Sequence, residues 1–144
     1  MNIGRNEILV GVAILVVAVL VVSTIFVSGN GGGHLDELLV NVEALRQAEL
    51  QYKGAFGDYV SADAAPRAPH EVDGNAVPWT PSEGFRKLSW APPNEAVVGS
   101  YQIRTDPDGF TVIGTCDLDG DGQRAIVEAS AGNAAHVVSA DGVY

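Results

Sequence analysis

Hydrophobic and polar positions divide the chain into three stretches with different periods. From Ile8 to Val27 no residue is charged, and only Gly11, Ser23 and Thr24 interrupt the aliphatic run. At about 1.5 Å rise per residue, a helix of this length matches the roughly 30 Å hydrocarbon core of a bilayer. In lipid a helix is also the single-segment way to satisfy the backbone's own hydrogen bonds. The pattern predicts a transmembrane helix over residues 8–27. The alternative is a cleaved signal peptide. The run exceeds an ordinary apolar h-region, and a small-residue cleavage site is hard to place, Val27-Ser28-Gly29 being the one to consider. A retained anchor is the favoured reading. Arg5 precedes the run and no Lys or Arg follows it before Arg46, so the positive-inside rule keeps residues 1–7 cytoplasmic and places the remainder outside.

Ser28-Gly29-Asn30-Gly31-Gly32-Gly33 follows, a glycine-rich linker over residues 28–33 that stops or hinges a helix. From His34 to Phe56 a stripe recurs every three or four residues: Leu35, Leu38, Val42, Leu45, Glu49, Tyr52 and Phe56, all apolar but Glu49. That spacing predicts an amphipathic helix. Asp36 and Glu37 in its first turn and Lys53 in its last suit the helix dipole, and Gly54 and Gly57 mark its end. Glu49 sits within the apolar stripe, where an edge position reaching solvent is favoured over a buried carboxylate with a partner.

Six prolines between Asp58 and Asn94 (Pro66, Pro69, Pro78, Pro81, Pro92 and Pro93) keep that region loop-rich, with one short helix expected over Ser82–Leu88. Trp79 and Trp90 bracket this turn and are expected to cover the core. The period then changes to two. Val98–Thr105, Phe110–Cys116, Arg124–Ser130 and Ala135–Ser139 read as short strands joined by turn-forming segments. An antiparallel meander covered on one face by the amphipathic helix follows, so the outer part is expected to be α+β.

Composition narrows the function. The 144 residues carry 18 acidic and 8 basic side chains, a formal charge of −10, which argues against nucleic acid as a partner. Without the apolar run and the linker, about 110 residues remain, enough for one core but not for a large enzyme cleft. The one cysteine, Cys116, excludes an internal disulfide and a Cys-based zinc site. The serines show no nucleophile-elbow setting, and His34, His70 and His136 share no metal-ligand spacing. No enzyme activity and no small-molecule substrate are indicated.

One motif carries chemistry. Asp117-Leu118-Asp119-Gly120-Asp121-Gly122, with Glu128 six residues on, fits the Asp-x-Asp-x-Asp-Gly-x5-Glu calcium-loop pattern. Alternating carboxylates can converge on one centre, and hard oxygen donors suit Ca²⁺. In that reading Asp117, Asp119 and Asp121 give side-chain oxygens, Gln123 its carbonyl and Glu128 two oxygens. The flanks read as strands and not as the helices of an EF-hand. An Asp/Gly-rich hairpin turn fits the same residues, and both readings stand.

Taken in order, several stretches resemble the type IV pilin and pseudopilin family, closest to pilin-like proteins of predatory and gliding bacteria. They are Leu45–Tyr52, Phe56-Gly57-Asp58-Tyr59-Val60, Gly84–Trp90 with its nearby prolines, and Phe110-Thr111-Val112 leading into Asp117–Gly122. With the apolar run, the likeness covers most of the chain. It implies a pilin-like extracytoplasmic domain over residues 34–144. It also implies self-association or association with other pilin-like subunits, in a filament or at the bacterial inner membrane with the domain in the periplasm. The family's precursors have Gly-Phe at the processing site and Glu at the fifth mature position. Here Gly4 precedes Arg5, and Glu7 stands third after Gly4. In assembly Glu7 would meet a positive partner such as a neighbour's N-terminal amine. A membrane-tethered acidic module that binds a protein or Ca²⁺, without a filament, is the alternative, and the glycine linker favours it.

Overall fold

The computed structural model describes residues 33–140. Helix α1 (His34–Phe56) begins at Gly33 and ends at Gly57, whose left-handed backbone lets its N–H close on the Lys53 carbonyl. The helix therefore has the bounds that its apolar spacing predicts. Leu38, Val42 and Leu45 are fully buried on its inner face. The sheet provides their partner surface. Strands β1 (Ala62–Ala65), β4 (Ser100–Asp106), β5 (Gly109–Cys116), β6 (Ala125–Ser130) and β7 (His136–Val137) form one five-stranded sheet, antiparallel throughout, in the order β1-β4-β5-β6-β7. A separate ladder pairs β2 (Val77–Pro78) with β3 (Ala96–Val97).

α1 lies across β5 and β6. Along β6 the side chains alternate, with Ala125, Val127 and Ala129 turned into the core and Ile126, Glu128 and Ser130 on the outer face. Gly114 of β5 makes the helix approach possible: a Cβ there would stand 2.6 Å from Val42 and 2.9 Å from Leu38. Arg46 fixes the helix against the β6–β7 turn. Its Nε and Nη2 donate to the carbonyls of Ser130 and Ala131, while Nη1 pairs with Glu43 at 2.9 Å. Helix α2 (Glu83–Lys87) closes the other end of the core with Phe85, and Trp79 and Trp90 pack edge to face beside it at 5.4 Å.

The expected membrane-crossing helix leading into the domain is corrected here. Among the described residues, no helix is long and apolar enough to cross a membrane. The long helix is α1, and Asp36, Glu37, Glu43, Arg46, Glu49 and Lys53 make it a helix that covers a sheet. The transmembrane helix expected over 8–27, the cytoplasmic residues 1–7, Glu7 and the linker up to residue 32 lie outside the described residues. What is found is α+β: one long helix followed by an antiparallel sheet. The meander of β4 to β7 matches the expectation to within two residues at each end. β1 adds an edge strand drawn from the proline-rich segment.

Glu49 also departs from expectation. It is fully buried, and both carboxylate oxygens lie within hydrogen-bonding distance of the Val60 N–H. Burial pushes its pKa up to about 7, against the opposing pull of that N–H.

Candidate metal centre

The β5–β6 connection, residues 117–124, is built from consecutive turns in which each aspartate caps the backbone that follows it. Asp117 leaves β5 at the buried end of the strand, with its side chain 2% exposed. Its Oδ1 accepts the Gly120 N–H at 2.8 Å and its Oδ2 accepts the Gly122 N–H at 3.0 Å. Asp119 Oδ1 accepts from the Asp121 N–H at 3.2 Å, and Asp121 Oδ1 from the Gln123 N–H at 2.7 Å. Gly120 and Gly122 have φ of 76° and 87°, a left-handed backbone that glycine adopts without strain. The sequence Asp-x-Asp-Gly-Asp-Gly folds this way because short carboxylates reach backbone donors two to five residues ahead.

The outcome is a convergence of charge. Asp117, Asp119 and Asp121 each offer an oxygen, and these oxygens lie within 4.8 Å of one another, so the three residues could hold a metal ion. Asp117 is the buried anchor, whereas Asp119 and Asp121 are exposed. The hydrogen bond from the Gln123 N–H holds the Asp121 carboxyl below the usual carboxylate range, which keeps it ionised as a ligand must be.

One of the proposed ligands is placed differently from the full calcium-loop pattern. Glu128 is not in the cluster: it stands on β6, opposite Ile113 of β5 and His136 of β7. A strand advances about 3.3 Å per residue and carries Glu128 away from the loop, whereas an exiting helix would turn it back. The Gln123 side-chain amide donates to Asp121 Oδ2 at 2.9 Å and so serves the aspartate as a second donor. Arg124 braces the loop from outside, with Nη2 donating to the His70 carbonyl at 2.8 Å.

A neighbouring segment escaped the sequence reading. Asp73-Gly74-Asn75 lies against the loop, so close that a Cβ on Gly74 would be 3.0 Å from the Asp117 carbonyl oxygen. Asp73 accepts from the Asn75 backbone and side chain and pairs with Arg67 at 2.9 Å. The Asn75 side chain, then its N–H and Arg67, hold the Asp73 carboxyl below its usual range. The segment's turn-forming residues were legible, but nothing in the spacing between Asp73 and Asp117 announces that they meet.

The remaining reactive side chains lie elsewhere. His34, His70 and His136 are exposed on separate elements. Cys116 is buried, and its thiol is pushed up to about 11, chiefly by burial and further by the negative Asp117 and Glu37. No protein-family model, curated protein or solved structure matches this chain.

Proposed function

We propose that the chain is a structural, pilin-like subunit. Its apolar N-terminal segment either packs with identical segments in a type IV pilus-like filament or holds an acidic α+β domain at the periplasmic face of a bacterial inner membrane. The observation that supports this reading is the order of its parts: an uncharged run at Ile8–Val27, then a long amphipathic helix, then an antiparallel sheet. In a filament the valine-rich segments would form the core, and Glu7 would need a positive partner there because an isolated carboxylate in an apolar medium is costly. Electron microscopy of surface material, with mass spectrometry of the filaments, tests it. Filaments containing this chain are the expected result. Its consistent absence from filaments, with the protein retained in the inner membrane, removes the filament version.

A second reading has its own support in the three convergent aspartates: a tethered binding module whose ligand is Ca²⁺. Carboxylate oxygens suit a hard cation, and three of them without nitrogen or sulfur donors favour Ca²⁺ or Mg²⁺ over zinc. Ca²⁺ tolerates an irregular shell completed by water and backbone carbonyls, as a loop without Glu128 would require. Calorimetric titration of the metal-free full chain with Ca²⁺ and with Mg²⁺ distinguishes the ions. Heat from Ca²⁺ binding that Asp119→Ala abolishes is expected, and no heat from either ion leaves the segment a hairpin turn.

A further inference from the structure

The buried carboxylate of Glu49 has no part in the aspartate loop, and it holds the segment that follows its own helix. α1 stops at Gly57, and residues 57–61 carry the chain to β1. Gly54 and Gly57 flank the turn, the latter with φ of 87°, and neither has a neighbour within 4 Å of where a Cβ would stand. The turn itself is therefore unencumbered, and the segment is held at its far end, where Tyr59 packs on Phe110, Val60 enters the core and Ser61 lies against Gly84 of α2. Glu49 restrains it through the Val60 N–H, at 3.3 Å from Oε1 and 3.0 Å from Oε2, with both partners buried. Tyr59, Val60 and Ser61 in turn line an open groove of about 340 Å³, together with Glu83, Gly84 and Lys87 of α2.

Among the described residues, no cation compensates this carboxylate. On α1 itself, Arg46 is taken up by Glu43 and by the carbonyls of Ser130 and Ala131, and Lys53 lies over the Tyr59 ring at 4.9 Å. From α2, Lys87 lies over Tyr52 at 5.9 Å and Arg86 donates to the Pro81 carbonyl. The charged side chains of the connection, β1 and β4, namely Asp58, Asp63, Arg104 and Asp106, are exposed. The strands under α1 bring no charge to it: the ionisable side chains of β5 and β6 are Cys116 at the far end of β5 and Glu128 on the outer face. Burial and the Val60 N–H are the influences that set its proton affinity, and burial dominates.

We propose that the contact between Glu49 and Val60 is a proton-dependent latch on the α1–β1 connection. Protonated Glu49 lies neutral in the core and keeps residues 57–61 docked. Ionised Glu49 is a buried charge facing one neutral donor. It relieves that cost by reaching water, which frees the Val60 N–H and opens the groove wall at Tyr59–Ser61. The latch requires neither assembly of the chain nor metal at the aspartate loop.

Hydrogen exchange read by mass spectrometry tests this on the full chain in detergent micelles, at pH 5.5 and 8.5, with rates corrected for intrinsic exchange. Protection of peptides covering residues 57–61 should fall at least tenfold at the higher pH. With Glu49 at 4.5 when released and about 7 when docked, linkage sets a ceiling of roughly 30-fold between these two pH values. Peptides from β5 should keep their protection, and Glu49→Gln should remove the pH dependence at 57–61. Unchanged protection in the wild type, or an equal fall in Glu49→Gln, overturns the latch. Carbon-13 NMR of the wild-type Glu49 carboxyl gives a reading that does not depend on the variant folding. Titration in step with exchange at 57–61 supports the latch, and titration as an ordinary exposed glutamate overturns it.

Discussion

Two carboxylates lie buried at opposite ends of this domain, and they are stabilised differently. Asp117, at the far end of β5, receives two backbone N–H groups from the turn that it initiates. Glu49, toward the other end of the helix that covers β5, shares a single N–H between its two oxygens. The aspartate's donors come from its own loop, whose glycines point them inward. The glutamate's donor comes from a segment eleven residues away, and among the described residues it is the one donor to this carboxylate. The contrast shows that burial alone does not determine how a carboxylate behaves. The supply of oriented donors decides whether it organises structure or becomes proton-sensitive.

The contrast can be broken from the aspartate side with the largest effect. Asp117→Ala leaves two backbone donors of a tight turn without their charged acceptor and should cost roughly 3 kcal/mol, read from urea unfolding of the full chain in detergent. From the glutamate side the signature is pH. Glu49 has a raised folded-state pKa, so its contribution to stability is fully present below about 4.5. It is lost as pH rises through about 7. The loss should reach at most about 3 kcal/mol, less if local opening relieves it first. Melts at pH 5.5 and 8.5 should therefore diverge in the wild type and converge in Glu49→Gln.

Smaller effects sharpen the same picture. Gly122→Ala forces a side chain into a backbone with φ of 87° and should destabilise by about 1–2 kcal/mol, with no change in pH dependence. Asp119→Ala, at an exposed position, should change apo stability by less than about 0.5 kcal/mol. It should nevertheless abolish any stabilisation by Ca²⁺, which for an intact site would be about 2.7 kcal/mol at a hundredfold excess over Kd. Melts in EDTA and in millimolar Ca²⁺ provide the comparison.

Local patterns were readable where the chain's period carried them. α1 and the β4–β7 meander follow directly from spacings of three to four and of two. β1 was hidden because Ala62-Asp63-Ala64-Ala65 lacks the branched and aromatic residues that announce a strand, and its place is set by pairing with β4. The aspartate triplet was legible because its members stand close together in sequence. Glu128 misled because the calcium-loop spacing presumes a helical exit, and the strand that follows carries it away. Glu49 was misread for a related reason: its donor lies beyond the helix, where helical periodicity says nothing.

The central proposal, a pilin-like subunit held or assembled through its apolar N-terminal segment, is tested most directly by intact-mass analysis of the mature chain from fractionated cells. The account predicts a membrane- or filament-associated protein that retains residues 8–27, beginning at Met1 or near Gly4. A soluble product that begins near Ser28 would contradict it.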